Sequence, residues 1–140
     1  MTLFDLTGKT AIVTGSTKGI GRATANRLAE HGANVVISSR KVSACNQVAE
    51  DVSRNWAKGS AKAIPIPCNI NHKEQLRVLV DKTLDTFGTI DILVCNAAVN
   101  PYFGPSADIS DEAFNKTMDS NVRSNFWLCN MVIAEMDNIQ

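Results

Sequence analysis

Several marks of specialised protein classes are missing from this 140-residue sequence. It carries 14 Lys+Arg against 14 Asp+Glu, so the basic footprint of a nucleic-acid binder is absent. No apolar run reaches 18 residues, which argues against a membrane-spanning helix. The opening MTLFDLTGKT puts Asp5 where a secretory signal needs an unbroken apolar stretch. Four cysteines (Cys45, Cys68, Cys95, Cys129) form no CxxC pair, and only His31 and His72 stand beside them. No closed zinc site or other metal site is therefore expected, and the pattern fits reduced thiols in a cytoplasmic protein. Tyrosine is the scarcest aromatic, with Tyr102 alone. What is present, 44% hydrophobic and 20% charged residues, is ordinary for a globular chain. The length suits one domain, 1–140, able to bury on the order of two-thirds of its unfolded surface.

Hydrophobic periodicity alternates between strand and helix. Residues 9–14 (KTAIVT), 34–38 (NVVIS), 61–68 (AKAIPIPC) and 91–95 (DILVC) are short apolar runs that predict strands. Pro65 and Pro67 each remove a ladder donor, which places the third strand at a sheet edge. Between the strands, Ile20, Ala25, Leu28 and Ala29 share one helical face, with Gly32 as the C-terminal stop. Cys45, Val48, Ala49, Val52 and Trp56 share another. Asn71 and Glu74 have capping-box spacing ahead of a stripe of Leu76, Leu79, Val80, Thr83, Leu84 and Phe87, closed by Gly88. After a loop over 96–108, one long helix is expected from 110 to 136. Its buried stripe is expected to be Phe114, Met118, Val122, Phe126, Cys129, Ile133 and Met136, stepping about 3.7 residues at a time. Strands separated by helices need right-handed crossovers into a parallel sheet. The expected fold class is therefore α/β, a doubly wound, three-layer sandwich, whose Rossmann-type form has sheet order 3-2-1-4.

The first strand runs into Thr14-Gly15-Ser16-Thr17-Lys18-Gly19-Ile20-Gly21, and a helix opens at Gly19. Gly15 lets the chain turn off the strand, Gly19 lets backbone approach a ligand, and Gly21 lets the helix sit tightly on the sheet. Free N–H groups in the first turn of such a helix suit a pyrophosphate. A Walker A loop would require Lys and Ser/Thr after its last glycine, where Gly21-Arg22-Ala23 stands. The spacing is also not G-x-G-x-x-G. Flavin, ATP and S-adenosylmethionine patterns fit less well still.

The pattern T-G-x-x-x-G-I-G over Thr14–Gly21 resembles the short-chain dehydrogenase/reductase family, and the loop from Asn96 to Gly104 is similar to that of its NADP(H)-dependent carbonyl and retinal reductases. Asn96-Ala97-Ala98 stands where that family has N-A-G, with Ala98 replacing the glycine. Asn69-Ile70 follows the third strand where the family usually has Asp and a branched apolar residue. Asn121-Val122 falls within the long helix, where the family keeps a functional asparagine. The resemblance implies that Asn69 and Ile70 flank an adenine and that Asn96, Ala97 and Ala98 line the ribose side of the crevice between the first and fourth strands.

The end of the second strand bears on which nicotinamide cofactor fits. An NAD site places a carboxylate there for the ribose hydroxyls. This chain has Ser38-Ser39-Arg40-Lys41. Arg40 and Lys41 offer charge-assisted bonds to a 2′-phosphate, Ser39 offers another, and Lys18 can approach from the glycine turn. The second helix would gain nothing from cations at its start, because they oppose its dipole. NADP(H) is preferred over NAD(H).

The resemblance implies hydride transfer to or from a carbonyl or alcohol. The family's proton donor is the tyrosine of Y-x-x-x-K, assisted by a serine and an asparagine. A phenol begins near pKa ~10 and needs a neighbouring cation to act at neutrality. Here Tyr102 lies in a loop and Ser106 stands four residues on, so only Asn121 of the set is matched. The chain is accordingly expected to be the cofactor-binding half of a reductase, ending before a fifth strand. The alternative is a catalytically inactive NADP(H)-binding or dimerising module. The resemblance also implies a homo-oligomer formed through the helix over 110–136.

Overall fold

The structure, a computed structural model, describes residues 3–136. Its elements are β1 (Thr10–Thr14), α1 (Gly19–Glu30), β2 (Asn34–Ser38), α2 (Val42–Asn55), β3 (Ala63–Pro65), α3 (Lys73–Phe87) and β4 (Ile92–Val94). A short 3-10 turn (Ser106–Asp108) then leads to α4 (Asp111–Met118), a π-helical turn (Asp119–Arg123) and α5 (Ser124–Met136). The strands form one parallel sheet in the order β3-β2-β1-β4. This is the doubly wound architecture expected from the alternating pattern.

Parallel strands covered on both sides need apolar residues on both faces, and β1 and β2 supply them. Val13, Val35 and Ile37 point into a cluster with Ala25 and Ala29 of α1 and Val48, Ala49 and Val52 of α2. Ile12 and Val36, one residue out of phase, pack on the opposite face against Leu76, Leu79 and Val80 of α3 and Leu128 and Val132 of α5. The two-residue period of a strand thus divides one short run between two cores.

The third strand is shorter than its apolar run, three residues instead of eight, and lies at the sheet edge. Its ladder nevertheless continues: the N–H groups of Ile66 and Cys68 donate to the carbonyls of Ile37 and Ser39, each at 2.9 Å. Pro65 and Pro67 occupy the alternate positions, whose missing donors would face the open edge. That alternation is why two prolines are tolerated.

Three expectations are corrected. Asn71 and Glu74 do not form a capping box: the N-cap of α3 is His72, and no side chain caps it. Gln75 reaches back instead, its Oε1 accepting from the Asn69 N–H at 2.7 Å. Ile20 does not join the buried face of α1; it is 80% exposed at the helix start, while Ala25 and Ala29 are buried. The long helix is not continuous, and five of the seven residues of its expected stripe face outward, while Cys129 and Met136 are half-buried. Phe114, Met118, Val122, Phe126 and Ile133 are all exposed, whereas Ser120, Ser124, Leu128 and Val132 are buried. The extra residue of a π turn rotates the succeeding helix by roughly 100° relative to an unbroken α-helix. In addition, α5 is apolar all round, so its period reveals a helix without saying which side is covered.

Candidate functional site

A cleft of about 610 Å³ opens at the carboxyl ends of β1 and β4. A sheet of this order reverses direction between those two strands, and ligands of open α/β sheets bind at such a switch point. Its walls include Gly15, Thr17, Lys18, Gly19 and Ile20 from the turn after β1, and Ser39 and Arg40 from the end of β2. Asn69, Ile70 and Asn71 come from the segment after β3, and Asn96, Ala97, Ala98 and Val99 from the segment after β4. The fold thus gathers four chain segments that the sequence scatters over more than eighty residues.

Ser16, Gly21 and Lys41 are not in that lining. Ser16 is fully buried: its Oγ accepts from the Ser38 N–H at 2.9 Å, and its own N–H donates to the Ser38 carbonyl at 3.1 Å. It ties the glycine turn to β2. Gly21 sits behind the turn, where a Cβ would lie 2.3 Å from the Gly15 carbonyl oxygen and 2.5 Å from Asn96 Nδ2. No side chain fits there, so Gly21 sets how closely α1 approaches the turn. Lys41 is the exposed N-cap residue of α2, one step beyond Arg40 at the rim.

The turn is held from below by Thr14, whose part in the site is not separable from the motif in sequence alone. Its Oγ1 accepts from the N–H groups of Asn96 and Ala97, both at 3.0 Å. Asn96 Nδ2 donates to the Gly15 carbonyl at 3.1 Å, closing a second link between the ends of β1 and β4. The mouth of the crevice is therefore fastened by a side chain from each strand end.

The residues present suit a dinucleotide. Gly19 has φ +58°, and a Cβ placed on it would meet nothing within 4 Å, so backbone rather than side chain borders the open space. The opening N–H groups of α1 have no intrahelical carbonyl to reach, and no side chain caps them. They present the positive end of the helix dipole to the cleft. Lys18 and Arg40 line the cleft, and among the described residues no carboxylate does. In a chain with equal numbers of acids and bases, this local excess of cations suits an anionic ligand.

Two thiols nearby are poor nucleophiles. Burial pushes the Cys68 thiol up to about 11. Burial, with the Cys129 sulfur 3.9 Å away, does the same to Cys95, also to about 11. Among the described residues no group of three His, Cys, Asp or Glu side chains is placed to hold a metal ion.

Asn121 lies in the π turn. Its Oδ1 accepts from the Val99 N–H at 2.9 Å, and its Nδ2 donates to the Val99 carbonyl at 2.8 Å. The amide, costly near a core without partners, is thus satisfied by a loop that lines the cleft. Tyr102 is not in the cleft lining; its hydroxyl donates to the Pro105 carbonyl at 2.9 Å within its own loop. Asn71 and Val99 were missed as cleft residues. Asn71 carried a plausible cap spacing that concealed it, and Val99 had no signal at all.

A parallel 3-2-1-4 sheet with a glycine turn feeding an uncapped helix start defines a doubly wound α/β protein of Rossmann type. The family model for short chain dehydrogenases matches residues 9–140, and the chain belongs to that family. Dehydrogenase/reductase SDR family member 4 of Oryctolagus cuniculus is 42% identical over 135 residues, 94% of this chain and 49% of that protein. The Homo sapiens protein of the same name is 41% identical over 132 residues, 94% of this chain and 46% of that one. Among solved structures, a short-chain type dehydrogenase/reductase from Mycobacterium marinum superposes with TM-score 0.87 at 34% identity, over 97% of this chain and 53% of that chain. A hydroxysteroid dehydrogenase from Escherichia coli gives 0.82 at 31% identity, over 96% and 53%. The chain spans about half the length of the curated relatives it matches.

Proposed function

We propose that this chain is the cofactor-binding half of an NADP(H)-dependent oxidoreductase that transfers hydride to or from a carbonyl or alcohol. The observation that carries the reading is the cleft lining: two cations, Lys18 and Arg40, and no acid, beside an uncapped helix start. The amides opening α1 hold the diphosphate. Arg40, with Lys18, Ser39 and the rim residue Lys41, holds the 2′-phosphate, where a carboxylate would repel it. Asn69 and Ile70 border the adenine, and Asn96, Ala97 and Ala98 border the ribose nearer the nicotinamide. Asn121 keeps the loop at Val99 in place and is the one residue of the family's catalytic set that this sequence matches.

The cofactor supplies the hydride when bound. Among the described residues the cleft lining holds no Tyr, His or carboxyl to protonate a nascent alkoxide; Lys18 is committed to the 2′-phosphate, and burial makes the Cys68 thiol a weak acid, raised to about 11. The 140-residue chain is therefore expected to bind NADPH while turning over carbonyl substrates at no more than a trace rate. A purely dimerising module without cofactor binding is the weaker reading, because it leaves the acid-free lining and the open face of Gly19 without a purpose.

Titrating the chain with NADPH and NADH while following cofactor fluorescence tests the reading. NADPH is expected to bind more tightly, and Arg40→Asp to weaken NADPH by about tenfold or more while sparing NADH, as for the loss of one charge-assisted pair. Equal losses for both cofactors would contradict the phosphate assignment. No response to either would remove the cofactor from this chain.

A further inference from the structure

The π turn touches two walls of the cleft that lie on opposite sides of the switch point. Through Asn121 it holds Val99. Through Ser120 it reaches across to the segment after β3: Ser120 Oγ donates to Asn71 Oδ1 at 2.8 Å. Ser124 Oγ lies 3.5 Å from the same oxygen while donating to the Asp119 carbonyl at 2.9 Å. Both serines are 1% exposed, on a helix face where apolar packing would be the default. Asn71 is exposed and borders two spaces, the cofactor cleft and a second cavity of about 570 Å³ lined by Glu112, Lys116 and Arg123 among others. It forms a partition whose carboxamide oxygen is committed to the helix.

The segment's other tethers are the packing of Cys68 and Ile70 on the core, one bond at its start, and short-range bonds near its end. The Asn71 N–H donates to Asn69 Oδ1 at 3.1 Å, and the Asn69 N–H donates to Gln75 Oε1 at 2.7 Å. The Cys68 N–H donates to the Ser39 carbonyl of the neighbouring strand end. Those bonds shape the segment and fix its beginning. They do not set the distance between its end and the far side of the cleft. Ser120, 49 residues on and attached to the helix beyond β4, does.

We propose that Ser120 is a positioning residue for the adenine-side wall: through Asn71 it holds residues 68–71 at the separation from the glycine turn that a bound adenosine requires. The proposal rests on the cofactor reading above and deepens it. One turn of helix then sets both walls, Ser120 the adenine side and Asn121 the nicotinamide side. Successive residues of a helix point roughly 100° apart, so these two neighbours face two different segments. A hydroxyl is needed because Asn71 offers an acceptor; a buried apolar residue there would leave the end of the wall held only by its own hydrogen bonds and by the packing of Cys68 and Ile70 on the core.

The test uses Ser120→Ala, Asn71→Ala and the double variant of the full chain. Three readouts are followed: affinity for 2′,5′-ADP and for NADPH, thermal midpoint, and amide hydrogen exchange at residues 69–71. Loss of the tether is expected to weaken 2′,5′-ADP and NADPH alike by about fivefold in each single variant, the size of one hydrogen bond. The double variant is expected to be no weaker than the singles, since both remove the same link. Exchange at residues 69–71 is expected to accelerate. Asn71 is exposed, so Asn71→Ala keeps the test informative even if Ser120→Ala folds poorly. A lower thermal midpoint with unchanged 2′,5′-ADP affinity would overturn positioning and leave a structural bond only. Additive losses in the double variant would overturn it as well. If the unaltered chain binds neither NADPH nor 2′,5′-ADP, the cofactor reading fails, and positioning with it. Binding by the unaltered chain that Ser120→Ala leaves intact overturns positioning alone.

Discussion

The middle of the sheet and its β4 side are written in similar letters and behave differently. In β1 and β2 the apolar residues Ala11, Ile12, Val13, Val35, Val36 and Ile37 are all 0% exposed, because helices cover both faces and strands flank both edges. In β4, Ile92, Leu93 and Val94 are only half-buried, although ILV is as apolar as AIV. The strand has β1 on one side and, among the described residues, no strand on the other. The neighbouring helix repeats the contrast: Leu128 and Val132 are buried, while Phe126 is 64% exposed. Apolar character marks a residue as able to enter a core. Neighbours on every side decide whether it does.

This contrast predicts a gradient of mutational cost. Ile12→Ala removes a fully enclosed side chain and is expected to cost about 4 kcal/mol in urea unfolding, near the upper part of the range for such truncations. A cost under half of that would mean the middle of the sheet is loosely packed. Next comes Gly21→Ala, whose Cβ would meet the Gly15 carbonyl carbon and oxygen as well as Asn96 Nδ2. It is expected to destabilise by about 2 kcal/mol through overpacking and to abolish measurable NADPH binding by displacing the turn. Gly19→Ala, with open space but φ +58°, should cost only about 1 kcal/mol of backbone strain.

A smaller effect separates the buried thiols from ordinary ones. Burial raises Cys68 from 9.0 to about 11, so the folded chain holds this proton more tightly than the unfolded chain. The associated stability is fully present below pH 9 and is lost as pH rises toward 11. Urea midpoints measured over that window should fall with pH, and fall less in Cys68→Ala; an equal slope in both would show that this thiol does not titrate late. Smallest of all is Phe126→Ala. Although phenylalanine is larger than isoleucine, the change is expected to stay within about 0.5 kcal/mol in the isolated chain. A large loss by equilibrium unfolding would mean that a second copy covers that face.

The legible parts of the molecule share one property: their evidence is local. The second strand occupies 34–38 as its apolar run predicts. The stripe of α3 is one-sided, so Leu76, Leu79, Val80 and Thr83 are buried as their spacing predicts. Gly15, Gly19 and Gly21 could be assigned from their spacing after a strand and before a helix. Arg40 lines the cleft, as its place at the end of β2 predicts. Asn71 could not be assigned in this way. Its local setting resembles a helix cap, and its partner Ser120 lies 49 residues away on a helix whose inward face the pattern misassigned. Phe114, Met118 and Val122 were misassigned for a related reason: apolar residues at helical spacing look the same whether or not anything covers them.

The order of strands and helices, the glycine turn and the chemistry of the cleft's cations are already contained in the linear chain, because each depends on near neighbours and on backbone sterics. Which side of α4 and α5 is buried, where the continuous helix gives way to a π turn, and which serine meets which asparagine depend on how distant segments pack. Those outcomes are set by volume and hydrogen-bond satisfaction in three dimensions, and no periodicity along one dimension encodes them.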